Sequence, residues 1–166
     1  MTKQKGFSLI ELLIVVAIIL IIAAIAIPNL LRSRMAANEA SAVGSVRTIN
    51  TAQVTYSTTY GTGFTSLAQL GGAAPCVAAP ATACLIDPVL TVGTKSGYTV
   101  TTVANNGAGT ILAPFLGYEV NATRISASTG TRAFCSDQSG VIRYNTTGAA
   151  IGVGLGACTA VVTILQ

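Results

Sequence analysis

The pattern of hydrophobic and polar positions divides the chain into an apolar N-terminal run and a mixed remainder. Between residues 7 and 27, only Ser8 and Glu11 are polar. A helix over this run would rise about 1.5 Å per residue and span about 30 Å, the thickness of a bilayer core. The run is longer than the apolar region of a signal peptide, about 7–15 residues, and no small-residue cleavage site follows it. It therefore predicts a membrane helix that stays in the mature protein.

Helical periodicity continues beyond the apolar run. Pro28 removes one backbone hydrogen bond, so we expect a kink or a loosened turn there. Gly61 and Gly63 predict the end of a helix that runs from about residue 8 to residue 60. A small domain cannot cover such a helix, so its first half should project into a membrane or a bundle of identical helices. Its second half should pack against a sheet. The contact would be made by an apolar stripe with helical spacing: Leu31, Met35, Ala42, Val46, Ile49, Tyr56 and Tyr60.

Beyond residue 60 the pattern changes to short β-rich runs separated by turn residues. Residues 61–96 are rich in Gly, Ala and Pro, and they predict a variable loop with a short helical turn at 66–70. We expect turns at 105–109 and 137–140, and strands at 97–103, 115–123, 131–136, 141–145 and 159–165. The predicted fold class is α+β: a long N-terminal α-helix, transmembrane in its first half, packed against a small antiparallel β-sheet.

Composition narrows the classes of function. Charged residues make up only 8% of the 166 residues, with a formal net charge of +4, so we predict no direct nucleic-acid binding. The chain has no His, which removes the commonest general base and metal ligand, and it has no paired carboxylates at short spacing. We therefore expect no catalytic residues, no cofactor and no metal site. Calcium would need several oxygen ligands, whereas the acids after residue 60 are few and scattered: Asp87, Glu119 and Asp137.

Four cysteines lie beyond the apolar run, at Cys76, Cys84, Cys135 and Cys158. Their spacing does not fit a zinc site, and their even number favours disulfides and an oxidising compartment. Of the three possible pairings, we favour Cys76–Cys84 and Cys135–Cys158, since each closes a local loop. Four buried free thiols are the alternative.

Orientation in a membrane does not follow from charge, because two basic residues precede the apolar run and two follow it: Lys3, Lys5, Arg32 and Arg34. The cysteines favour a C-terminal domain outside the cytoplasm.

Glu11 has two interpretations. The sequence Ser8-Leu9-Ile10-Glu11 fits a capping box, in which the carboxylate satisfies a free amide at the start of a helix. A carboxylate at membrane depth nevertheless costs a few kcal/mol unless it is paired or near the interface. Capping and functional pairing both remain open on these grounds.

Residues 5–28, KGFSLIELLIVVAIILIIAAIAIP, resemble the N-terminal signature of type IV pilins and type II secretion pseudopilins. The resemblance implies that a prepilin peptidase cleaves between Gly6 and Phe7 and methylates the new amino group of Phe7. It also implies that Glu11 pairs with the N-terminal amine of a neighbouring subunit and sets the stagger between subunits. The expected organisation is a cleaved leader at 1–6, a transmembrane and assembly helix at 7–28, an amphipathic helix at 29–60, and a loop with the sheet at 61–166.

The function that this resemblance implies is that of a structural pilin in a type IV pilus-like helical fibre, from which adhesion or motility follows. The subunit would wait in the bacterial inner membrane with a periplasmic C-terminal domain, and then enter an extracellular pilus. Its expected partners are identical or related pilins, the prepilin peptidase and an inner-membrane assembly platform. The alternative is a major pseudopilin of a type II secretion system, in a periplasmic pseudopilus. A membrane-anchored binding module is a further alternative.

Overall fold

The computed structural model describes residues 6–73, 75–152, 154, 156–161 and 163–165, which divide into two compact units, Met1–Arg34 and Met35–Gln166. Helix α1 extends over Leu9–Tyr60 and contains Pro28. It ends where Gly61 takes a left-handed backbone conformation, with φ of 68°, and donates its N–H to the carbonyl of Ser57 at 3.1 Å. Glycine adopts this conformation without strain, which explains the predicted and observed end of the helix.

The second unit holds a five-stranded antiparallel sheet in the order β1-β2-β3-β4-β5. Its strands are β1 (Thr94–Lys95), β2 (Tyr98–Asn105), β3 (Gly117–Arg124), β4 (Ala133–Asp137) and β5 (Arg143–Asn145). Two short helices, α2 (Leu67–Leu70) and α3 (Pro88–Thr91), precede the sheet. The predicted fold class, a long N-terminal helix with a small antiparallel sheet, is confirmed.

The main core of the second unit lies between one face of the sheet and α1. From α1 it takes Ala42, Val46, Ile49 and Tyr56, which are members of the predicted stripe. From the sheet it takes the alternate residues that face the helix, including Tyr98, Val100, Tyr118, Val120, Ala122 and Phe134. Of the rest of the stripe, Tyr60 packs partly buried against this core, whereas Leu31 is exposed in the first unit.

A second, smaller core covers the opposite face of the sheet. Cys135 points away from Phe134 because successive side chains alternate along a strand. It packs with Ala133, Ile151 and Cys158, and Val161 lies partly buried beside them. The sheet of the second unit is thus sandwiched between α1 and the C-terminal segment.

The predicted strand at 159–165 is wrong. Residues 156–160 form turns, and the only pairing in the described part of that segment is an isolated bridge between Arg143 and Ile164. Within these turns, Cys158 bonds to Cys135 and packs with it in the second core.

The boundaries of the β2–β3 hairpin also differ from the prediction. Strand β2 continues to Asn105 and β3 begins only at Gly117, so the connection comprises residues 106–116 instead of 105–109. Phe115, which we expected to begin a strand, instead pairs with Gly63 beyond the end of α1.

The predicted loop at 61–96 contains more regular structure than expected. Asp87 caps α3, because its carboxylate accepts the N–H groups of Val89 at 2.6 Å and Leu90 at 3.4 Å. Pro88 then occupies the first helical position, where its missing N–H costs nothing. Asp87 followed by Pro88 is a helix-start signal in the sequence, so a second short helix within 61–96 is predictable.

Candidate functional site

The first unit presents an apolar helix surface on all sides. From Gly6 to Arg34 every residue is exposed except Ala23, which is half-buried. The most apolar 18-residue window of α1 has a mean hydropathy of 3.3 and is not buried at all. Each large aliphatic side chain gains about 1.5–3 kcal/mol on leaving water. By length and composition the segment can cross a membrane, and its exposed surface needs a lipid or protein environment.

Glu11 lies in the first turn of α1 and acts there as a cap. Its carboxylate accepts the backbone N–H of Ser8 at 2.9 Å, which is the contact that a capping box requires of the acidic residue. A negative charge at this end of a helix also complements the helix dipole. Pairing of Glu11 with a neighbouring subunit stays a prediction.

The environments of the predicted cleavage residues are open. Phe7 is exposed, and a Cβ atom added at Gly6 would meet nothing within 4 Å. The chain itself therefore does not require glycine at position 6. Lys3 and Lys5 of the predicted leader lie outside the described residues, and the predicted kink at Pro28 stays a prediction.

Glu39 is a buried acid that links α1 to the segment before β4. One carboxylate oxygen accepts the N–H of Thr131 at 2.7 Å, the hydroxyl of Thr131 at 2.7 Å and the N–H of Arg132 at 3.1 Å. The other oxygen accepts Nε of Arg132 at 2.8 Å and lies 2.7 Å from its Nη2. Burial alone would raise the pKa of Glu39, but the hydrogen bonds from Thr131 and Arg132 lower it below its ordinary value.

The guanidinium of Arg132 is held on its other side by aromatic rings. Its central carbon lies 5.4 Å from the centre of the Phe134 ring and 5.2 Å from that of Tyr144. Glu39 is not among the site residues predicted from the sequence. A signal was available, since Glu39 falls on the apolar stripe four residues after Met35 and three before Ala42.

Glu119 has a comparable role on the opposite face of the sheet. Its carboxylate accepts the N–H groups of Gly154 at 3.1 Å and Cys158 at 3.2 Å, and so holds the C-terminal segment. Glu119 also lies directly opposite Asp137 on the neighbouring strand, and both are buried. The expectation that the acids are scattered is therefore wrong for these two. Within the described residues, no group of three or more acidic, cysteine or histidine side chains could hold a metal ion.

The cysteines form two disulfides, Cys76–Cys84 and Cys135–Cys158, which are the pairs favoured from the sequence. The first closes part of the loop between α2 and α3, and Cys76 is exposed. The second is completely buried and joins the C-terminal segment to β4.

The buried tyrosines are fixed by hydrogen bonds. Tyr98 donates its hydroxyl to the carbonyl of Arg132 at 2.8 Å, and Tyr118 donates to Oδ1 of Asn50 at 3.0 Å. Burial raises the pKa of Tyr98 to about 12, with a further contribution from the charge of Glu39. Burial raises the pKa of Tyr118 as well, and the charge of Asp137 adds to that effect. Both hydroxyls therefore serve packing in their neutral form.

Comparisons with known proteins give one family motif and two relatives. Residues 1–27 match the family model of the prokaryotic N-terminal methylation motif. The chain is 64% identical over 39 residues to the type IV wide pilus major component PilA4 of Thermus thermophilus, a match that covers 24% of this chain and 30% of that protein. It is 44% identical over 54 residues to the type IV major pilin protein PilA of Myxococcus xanthus, covering 32% of this chain and 24% of that protein.

The chain thus matches less than a third of the length of each of these relatives. No solved structure matches it significantly. The motif and the two pilins support the type IV pilin superfamily, and they confirm the resemblance predicted from residues 5–28.

Proposed function

We propose that this protein is a pilin, the structural subunit of a type IV pilus-like helical fibre. The observation that carries the proposal is the apolar, exposed helix of the first unit, which begins with the methylation motif. Such a surface is stable only where it contacts lipid or other apolar helices. It therefore suits a subunit that waits in the inner membrane and later packs its helix among copies of itself.

Processing is the first step of the proposed pathway. The prepilin peptidase removes residues 1–6 and methylates the amine of Phe7, and residues 7–28 then serve as transmembrane and assembly helix. The open surroundings of Gly6 support this step, because the demand for glycine there would come from the peptidase and not from the fold. An inner-membrane platform protein then delivers subunits to the fibre, while residues 29–60 and 61–166 form its folded exterior.

Assembly follows from head-to-tail contacts between identical subunits, which extend into a helical filament when the rotation between them does not close a ring. In the filament core, Glu11 exchanges its cap contact with Ser8 for an ion pair with the amine of Phe7 of a neighbour. The attraction between the two charges is stronger where both have left water, and it must offset the cost of their desolvation. Its position would set the stagger between subunits, as single buried polar residues set register in coiled coils.

A pilin is favoured over a major pseudopilin of type II secretion because both named relatives are pilus components. The two disulfides fit an oxidising compartment, which the periplasm and the cell exterior both provide. The C-terminal unit would lie in the periplasm before assembly and outside the cell afterwards.

The test is to shear surface fibres from the native strain and to analyse their subunit by mass spectrometry. We expect filaments in electron micrographs, built of a chain that begins with N-methylated Phe7. A Gly6→Leu variant should keep residues 1–6, remain in the membrane and form no filaments. A wild-type chain that stays unprocessed and monomeric in the membrane would contradict the proposal.

A further inference from the structure

The loop between β2 and β3 opens with an asparagine that is followed by glycine, Asn106-Gly107. Asparagine is a chemically labile residue, because the backbone nitrogen of the next residue can attack its side-chain amide. Glycine is the most permissive next residue, since it has no Cβ atom to hinder that approach. The chain has seven asparagines, and only Asn106 precedes a glycine.

The other six asparagines lie inside regular elements, three in α1 and one each in β2, β3 and β5: Asn29, Asn38, Asn50, Asn105, Asn121 and Asn145. A regular backbone restricts the rotation that brings the next nitrogen to the side-chain carbon. Each of the six is also followed by a residue with a Cβ atom. Asn106 therefore differs from them both in its neighbour and in its place in the fold.

The turn itself requires this pair of residues. Asn106 has φ of 60°, in the left-handed region that asparagine occupies more readily than most other residues. A Cβ atom added at Gly107 would collide with the carbonyl group of Pro114 on the returning chain. The fold thus excludes the larger residue at position 107 that would protect the amide of Asn106.

The two residues are also open to attack. Asn106 and Gly107 are both exposed. The carbonyl of Asn106 accepts the N–H of Leu116 at 3.2 Å, whereas the N–H of Gly107 donates no hydrogen bond to any residue that the structure describes. The nitrogen that would attack is therefore not held by a partner, and water reaches the side-chain amide.

We propose that Asn106 is a site of spontaneous deamidation. The nitrogen of Gly107 bonds to Cγ of Asn106 and gives up its proton, and the side-chain nitrogen takes up that proton and leaves as ammonia. The product is a five-membered succinimide ring between the two residues. Water then adds to one of the two ring carbonyls and opens the ring, which yields aspartate or isoaspartate at position 106. Water is the only co-reactant.

The modification changes the charge and the course of the loop, and it does not depend on the proposed function. Either product adds a negative charge to residues 96–118, which contain no charged residue. In the isoaspartyl product the main chain runs through Cγ of residue 106, and the former carbonyl group becomes the free carboxylate. The backbone hydrogen bond from Leu116 to that carbonyl is then lost, so this product should loosen the start of the loop.

Timed incubation of the wild-type full chain in detergent tests the proposal. Peptide mass spectrometry should show conversion of Asn106 at least tenfold faster than that of any other asparagine, and the rate should rise from neutral to mildly alkaline pH. The rate in the folded chain should lie within about threefold of the rate in urea, because the fold leaves this turn open. A folded chain that keeps Asn106 intact, while the same residue reacts in urea, would overturn the proposal.

A second measurement detects the isoaspartyl product directly. An isoaspartyl methyltransferase with a labelled methyl donor should label the aged wild-type chain at its free carboxylate. Asn106→Gln should abolish the label, because glutamine would have to close a less favourable six-membered ring. Asn29→Gln, at an exposed position of α1, is the matched control and should keep the label. An unlabelled wild-type chain, or equal labelling in Asn106→Gln, would refute the assignment to Asn106.

Discussion

At the scale of single residues, Glu11 has two candidate roles: a local helix cap and an ion pair between subunits. A glutamine can replace glutamate in a capping box, but it cannot form an ion pair with an amine. Substitution by glutamine therefore separates a local helix cap from a contact between subunits.

We predict that Glu11→Gln and Glu11→Val both leave the subunit in the membrane fraction and both abolish fibres. The reason is that neither side chain can neutralise the amine of a neighbouring Phe7. Immunoblots of membranes and sheared fractions measure the two quantities. Fibres from Glu11→Gln but not from Glu11→Val would show that capping is the role of this residue.

We expect the ionisation of Glu39 to affect the stability of the folded unit. Its carboxylate receives hydrogen bonds from Thr131 and Arg132, and these lower its folded pKa below the unfolded value of 4.5. A depressed carboxyl pKa stabilises the folded state above the unfolded pKa, and this stabilisation is lost as the pH falls through the folded pKa.

We predict that the free energy of unfolding of the full chain in detergent falls as the pH is lowered below about 4.5. In Glu39→Gln this fall should be smaller, and at neutral pH the variant should be less stable by about 1–3 kcal/mol. Urea unfolding followed by circular dichroism measures both effects. The control is Arg47→Ala on the exposed side of the same helix, which should change stability by less than about 0.5 kcal/mol. An unchanged pH profile in Glu39→Gln would contradict this role.

At the scale of elements, side chains from α1 fasten segments of the chain that lie outside the helices and strands. Gln53 is completely buried, donates its amide to the carbonyl of Thr65 at 2.6 Å and accepts the N–H of Thr65 at 2.9 Å. Asn38 donates to the carbonyl of Thr129 at 2.9 Å. These loops make few regular backbone hydrogen bonds. The side chains of α1 therefore supply partners for their backbone N–H and C=O groups, which must be paired when they are buried.

The two disulfides should differ in their accessibility and in the elements that they hold. Under native conditions, mild reduction followed by alkylation should label Cys76 and Cys84 first, because Cys76 is exposed whereas Cys135 and Cys158 are buried. Peptide mass spectrometry after timed alkylation measures the order. Equal labelling rates for both pairs would mean that the C-terminal segment opens readily.

Replacing Cys135 and Cys158 with alanine should lower the free energy of unfolding by roughly 3 kcal/mol, from the loop entropy of the unfolded chain. The loss of packing in the small second core adds to this effect. Replacing Cys76 and Cys84 serves as the matched control and should cost less, because its loop is shorter and less buried. Thermal unfolding of both variants in the same detergent compares them.

At the scale of the whole molecule, the buried core and the exposed apolar surface belong to different units. Every residue of the two core clusters lies after Met35, and the long exposed apolar run lies before Arg34. The buried core of the second unit is thus built from residues of that unit.

We predict that a chain that comprises residues 35–166 is monomeric and soluble without detergent. Its unfolding temperature should lie within a few degrees of that of the full chain, because its core is complete. Gel filtration and circular dichroism check the two expectations. A truncated chain that aggregates or lacks a cooperative transition would show that residues before 35 support the fold.

The sequence by itself determined the features that depend on neighbouring residues. The apolar run, the course of α1 to Tyr60 and the succession of β2 to β5 are encoded in local periodicity and turn residues, which a single chain displays directly. The N-terminal methylation motif is equally local, since it occupies the consecutive residues 1–27.

Only the tertiary structure decided the contacts between distant residues. Glu39 and Thr131 are 92 positions apart, and Glu119 holds N–H groups 35 and 39 positions further on. The curled course of the C-terminal segment follows from such contacts and overrides its local strand propensity. Local patterns cannot specify these features, because burial and long-range hydrogen bonding depend on which elements the fold brings together.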